Sequence, residues 1–144
     1  METINQISVF LENKKGRMYT ALDLLANNNI NIRALLLADT SDFGILRLVV
    51  DKPLEGKKIL ENDGFTVKFT PIIGVELDDQ PGGLSKILNI IEENDINLDY
   101  LYAFTHDKTD HAILFLYADD LEYLGKVLVD NGVRIVSKDE VYNL

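Results

Sequence analysis

The chain has 144 residues, 47% hydrophobic and 26% charged, a normal globular composition with room for one ordinary domain or two very small ones. Its formal net charge is −10, and an acidic chain repels phosphate backbones, so no nucleic-acid partner is expected. No run of about 18 apolar residues predicts a membrane span. METINQISVF lacks the basic-then-apolar pattern of a secretory signal, and the absence of cysteine excludes disulfides and thiolate chemistry and fits a cytoplasmic location.

In chain order, QISVFLE (6–12) alternates apolar with polar residues and reads as a half-buried strand. GRMYTALDLLANNN follows with Met18, Leu22 and Leu25 at helical spacing, and its Asn run suits a helix exit. INIRALLLAD and FGILRLVVD read as strands joined by the turn TSD, forming a hairpin. Asp51 with Pro53 stands where a cap belongs, opening a helix over PLEGKKILENDG that Gly64 stops. FTVKFT reads as the next strand. The order then recurs: strand IIGVELD, helix GGLSKILNIIEEND, strands INLDYLYAFTH and HAILFLYAD around DKTD, a helix over DLEYLGKVLVDNG capped at Asp119, and a last strand VRIVS.

The recurrence is a duplication. At an offset of 66, Ile7, Val9, Leu11, Gly16, Leu22, Asn28, Ile30, Asn31 and Leu35 fall on identical residues at 73, 75, 77, 82, 88, 94, 96, 97 and 101. After a two-residue insertion the offset is 68, and Ile45, Leu46, Leu48, Asp51, Leu60 and Gly64 fall on identical residues at 113, 114, 116, 119, 128 and 132. Each copy reads βαββαβ, the ferredoxin-like α+β topology of an antiparallel sheet with both helices on one face. The expected domains are 1–70 and 71–144. Copies of this length are marginal alone, and KFTPIIG offers only Pro71 as punctuation, so a rigid pair is expected.

Topology alone names no function. However, DDQPGGLSKIL (78–88), followed by NDINLDYLYAF, closely resembles the ACT-domain pattern: a strand, a polar turn with Pro-Gly, an apolar residue opening the helix, and an Asn-Ile-Asn step into the second strand. ENKKGRMYTAL matches more loosely, with Lys15 where Pro81 stands, while NNNINIRALLL keeps the exit pattern. The resemblance covers essentially the whole chain and implies two tandem, stand-alone ACT domains with their sheets paired side by side. It further implies a non-enzymatic sensor that binds a free amino acid at the interface of the two domains and regulates a protein partner; separately, a homodimer through exposed strand edges or helix faces is expected, because open sheets carry edges. The implied ligand positions are Asn13, Lys14, Lys15, Gly16, Arg17 and Met18 in the first copy, and Asp79, Gln80, Pro81, Gly82, Gly83 and Leu84 in the second, together with Asn31 and Asn97.

Physical chemistry supports these residue types independently. An α-carboxylate suits backbone N–H groups at a helix N-terminus, and glycines let the backbone approach it closely. An α-ammonium suits loop carbonyls and an Asn oxygen. The basic first loop (Lys14, Lys15, Arg17) favours carboxylate capture. The acidic second loop (Asp78, Asp79) favours a polar or cationic ligand side chain. The competing reading is a protein–protein interaction module whose glycine turns are purely structural.

Other chemistry is poorly represented. His106 and His111 flank the second hairpin turn and, with Asp107 or Asp110, have residue types that suit a metal. An exposed polar turn is the favoured reading, and no metal or cofactor is expected. No Ser/His/Asp set or dinucleotide fingerprint is present, and no G-K-[ST] follows DQPGG. Tyr100, Tyr102 and Phe104 form a partial stripe that reads as core or interdomain contact, not an RNA platform.

Overall fold

A computed structural model describes residues 1–12, 14–39, 43–105 and 111–144, with the side chains of Asp39 and Phe43 outside the description. The chain divides into two units: Asn5–Thr70 with Val141–Leu144, and Pro71–Glu140 with Met1–Ile4.

In the first unit, β1 (Ile4–Glu12), which begins at Ile4 of the other unit, leads through a glycine turn to α1 (Arg17–Asn27). Strands β2 (Ile32–Asp39) and β3 (Phe43–Val50), helix α2 (Pro53–Asn62) and the opening residues of β4 (Thr66–Asp78) follow. β3 is antiparallel to both β1 and β2, with Val9 opposite Leu46 and Leu36 opposite Arg47. Alternation sends Ile7, Val9 and Leu11 to one face, where they meet Leu46, Leu48 and Val50 from β3, Ala21 and Leu25 from α1, and Leu60 from α2. Both helices therefore cover one side of the sheet. Opposite that face, Gln6 and Ser8 are fully buried, and the Ser8 hydroxyl meets that of Thr70 at 3.0 Å. Arg33 Nη2 donates to the Tyr142 carbonyl at 3.1 Å, holding the C-terminal residues of the same unit.

The second unit repeats the plan with the remainder of β4, α3 (Gly83–Glu93), β5 (Tyr100–Thr105), β6 (His111–Tyr117) and α4 (Leu121–Asp130). β6 pairs antiparallel with β4 and β5. Ile73, Val75, Leu77, Leu114 and Leu116 pack with Ile87, Ile91, Leu124 and Leu128 as the equivalent core. The two cores exchange volume: Gly56 and Val50 in the first stand where Leu124 and Ala118 stand in the second. A Cβ on Gly56 would already lie 3.2 Å from Ile7 Cδ1, so the larger neighbours of the first core leave no place for a leucine. Tyr102 is buried and stacks on Tyr100 and against Phe115, so the aromatic stripe is held by its own sheet neighbours.

Backbone conformation duplicates as well. Asn29 and Asp95 take the left-handed conformation at φ 59° and 54°, and Gly64 and Gly132 take it after α2 and α4. FTVKFT and IIGVELD, expected as two strands, run as the single strand β4, and three local features also differ from the sequence expectation. Lys52, not Asp51, is the N-cap of α2; the Asp51 carboxylate instead accepts from the Asn31 N–H at 2.9 Å. Asp120, not Asp119, caps α4 by accepting from the Tyr123 N–H at 3.1 Å. The last strand shrinks to one bridge between Ile135 and Val75, because Ser137 opens the short helix α5 (Lys138–Tyr142). There the Glu140 N–H donates to Ser137 Oγ at 3.1 Å and the Ser137 N–H to Glu140 Oε2 at 3.3 Å, a reciprocal capping box.

Candidate functional site

Each glycine loop joins the first strand of its copy to the helix that follows. Gly16 lies at φ 87°, ψ −2° and Gly82 at φ 89°, ψ −10°, a left-handed geometry that glycine adopts without steric penalty. Each is the N-cap of its helix, and no side chain caps either one. The first turn of an α-helix has N–H groups without intrahelical partners. With no side-chain oxygen supplied, these two helix starts keep donors for an external acceptor and add the positive end of the helix dipole. α4, by contrast, carries the Asp120 cap.

In the first loop, Lys14 N–H donates to the Glu12 carbonyl at 2.6 Å, and the Lys14 ammonium meets the Glu12 carboxylate at 3.0 Å. That contact, and secondarily the charge of Arg17, holds the Glu12 carboxyl below its ordinary range. Arg17 opens α1 with its guanidinium carbon 4.0 Å above the Phe65 ring. Its Nε is buried and meets no hydrogen-bond acceptor among the described residues. A pocket of about 350 Å³ is lined here by Lys14, Gly16, Arg17 and Met18. Glu12, Tyr19, Leu37 and Gly44 also line it. Glu12 and Tyr19 stand in the loop motif but were not among the expected ligand positions; Leu37 and Gly44 are not apparent from it, because they arrive from β2 and β3 through strand register. Lys15 is exposed in the turn. Asn13 lies outside the described residues.

In the second loop, Asp79, Gln80, Pro81 and Gly82 are exposed and Leu84 is 39% exposed at the start of α3. Gly83 N–H donates to the Gln80 carbonyl at 3.0 Å. Gly83 borders a hollow of about 170 Å³ with Asp78, Glu76, Lys86 and Arg134. His111 Nδ1 lies 3.3 Å from Glu76 and 3.5 Å from Asp78, while Arg134 Nε donates to the other Glu76 oxygen at 2.7 Å. His106, Asp107 and Asp110 lie outside the described residues, and no metal-binding group of three or more ligands occurs among those described.

Asn31 and Asn97 are exposed and stand beyond the far ends of α1 and α3. Eleven helical residues, about 16 Å at 1.5 Å per residue, separate each from the loop of its own copy. Within one unit the fold does not bring loop and Asn together.

A family model described as ACT domain pair matches residues 2–144. The chain belongs to the ACT domain pair family. Among solved structures, this ACT domain pair is similar to protein BT0572 from Bacteroides thetaiotaomicron, with 32% identity, 99% of this chain and 97% of that one covered, and a TM-score of 0.90. It shares its fold with the ligand-free regulatory subunit of aspartate kinase from Thermus thermophilus, at 14% identity, coverages of 90% and 93%, and a TM-score of 0.62. A structure of aspartokinase alpha and beta subunits matches at 15% identity, coverages of 90% and 96%, and a TM-score of 0.55. No curated protein matches. None of the described helices of the ACT pair is long and apolar enough to cross a membrane.

Proposed function

We propose that this ACT domain pair is a non-catalytic, cytoplasmic sensor of a free amino acid, with 1–70 and 71–144 as its two ACT domains. One observation carries the reading: both loop helices start at a left-handed glycine with no side-chain cap. Such a start suits an α-carboxylate, which brings the acceptor the chain itself omits. The likeness in fold to proteins named as regulatory subunits of aspartate kinase supports a regulatory role. Binding shifts an equilibrium between two states only if the ligand prefers one of them, and the regulated protein reads that shift. Because each Asn stands a helix length from its own loop, Asn31 or Asn97 reaches a loop-bound ligand only from a different ACT domain.

The test is a thermal-shift and calorimetric screen of the intact chain against the twenty common amino acids at millimolar concentration. At least one is expected to raise the melting temperature and give a saturable binding isotherm, and Asn97→Ala or Asn31→Ala to weaken it. If no amino acid binds, the sensor reading fails and the glycine turns are structural.

A further inference from the structure

We infer that the two loops are not equivalent, and that the first, through Arg17 and Glu12, binds an amino acid with an apolar side chain. This deepens the sensor reading and rests on it. The duplication supplies the comparison. Arg17 aligns with Gly83, and Phe65, on which Arg17 lies, aligns with Val133. The second copy cannot acquire the same group: a Cβ on Gly83 would collide with the Asp78 carbonyl oxygen, and Val133 offers no aromatic face.

In the first copy the guanidinium is fixed by its stacking on Phe65, while its buried Nε–H has no acceptor among the described residues. Arg17 lines the pocket, so a ligand carboxylate placed there meets its positive charge. A planar guanidinium held on a ring is also suited to two-point capture of a carboxylate.

The same pocket carries the complementary charge. Glu12 lines it beside Arg17, so an ammonium and a carboxylate on one carbon each meet an opposite charge. Lys14 holds Glu12 only through an exposed ion pair, a weak contact that a ligand ammonium can share or replace. Leu11, Met18 and Leu37 supply an apolar part of the lining, and about 350 Å³ lies at the small end of ligand-pocket sizes. An aliphatic or aromatic side chain fits against Leu11, Met18 and Leu37.

Isothermal titration of the intact chain with L-leucine, L-phenylalanine, L-lysine and L-aspartate tests this. The expected result is one tight site per chain that prefers leucine or phenylalanine, with Arg17→Gln weakening it by roughly tenfold to a hundredfold. Arg17→Lys, which keeps the charge but not the planar fork, should fall between, and circular dichroism of both variants should match the parent. Two equal sites, a preference for lysine or aspartate, or unchanged affinity in a folded Arg17→Gln variant would overturn the inference and leave the sensor reading in place. If none of the common amino acids binds at all, the sensor reading itself is overturned.

Discussion

Gly83 and Asp78 are locked by proximity: the first residue of α3 lies so close to the Asp78 carbonyl oxygen that no side chain fits on it. Its neighbour Gly82 has open space around its Cβ position but needs a left-handed backbone at φ 89°. The two glycines therefore fail differently. Gly82→Ala should cost about 1–2 kcal/mol of backbone strain. Gly83→Ala must displace the strand end or the helix start, about 1–3 kcal/mol by the usual scale of overpacking, and should also disturb the loop. Urea unfolding gives the two stabilities, and amide chemical shifts should stay local to residue 82 and its neighbours for Gly82→Ala but spread to Asp78 for Gly83→Ala.

The volume exchange between the cores gives a second prediction. Leu124 is fully buried where the first copy has Gly56. Leu124→Ala should lose about 2–5 kcal/mol, because the site cannot collapse around the missing methyl groups. Gly56→Leu should be at least as damaging, since even a Cβ there is tight against Ile7. Denaturant midpoints decide, and a Gly56→Leu protein as stable as the parent would contradict the packing described.

Arg134 ties β4 to α5 by donating to Glu76 at 2.7 Å and, through both Nη atoms, to both Glu140 oxygens at 3.1–3.2 Å. These carboxylates push its already high pKa further up. The side chain is about half exposed, so Arg134→Ala should cost only about 1 kcal/mol. That loss should shrink in 1 M salt. Ser137→Ala removes the neutral half of the capping box and should cost a similar amount, about 1 kcal/mol, without the salt dependence. Urea titrations at low and high salt separate the two effects.

The Asp99 carboxyl is raised above its ordinary range, first by desolvation, then by the negative charge of Asp119 and by a hydrogen bond with it. The folded chain thus binds a proton that the unfolded chain releases, and this contribution to stability is lost as pH rises through the raised value. Asp119→Asn removes the repulsion. The variant should gain on the parent at neutral pH, and the gain should disappear below the ordinary aspartate range. Melting temperatures across that interval test the sign; a gain confined to acid would refute it.

Much of the fold was legible because its signals are local. Alternation marked β1, β3 and β6, helical spacing marked α1 and α3, and the residues that tolerate left-handed backbone recur at Gly16 and Gly82, Asn29 and Asp95, Gly64 and Gly132. VRIVS misled because its alternation is sound for four residues. The capping box at Ser137 and Glu140 then turns the chain into a helix before pairing can extend.

The duplication, most of the order of elements, the left-handed turns and the loops that open α1 and α3 were legible in the residues alone. Each of these depends on residue type and near spacing. That Gly83 is barred from carrying a side chain, that Arg17 lies on Phe65, and that Leu37 and Gly44 complete the first pocket emerges only from the folded chain. Those facts join residues far apart in the chain, or depend on a close backbone approach. Both are settled by strand register and packing, which no single residue encodes.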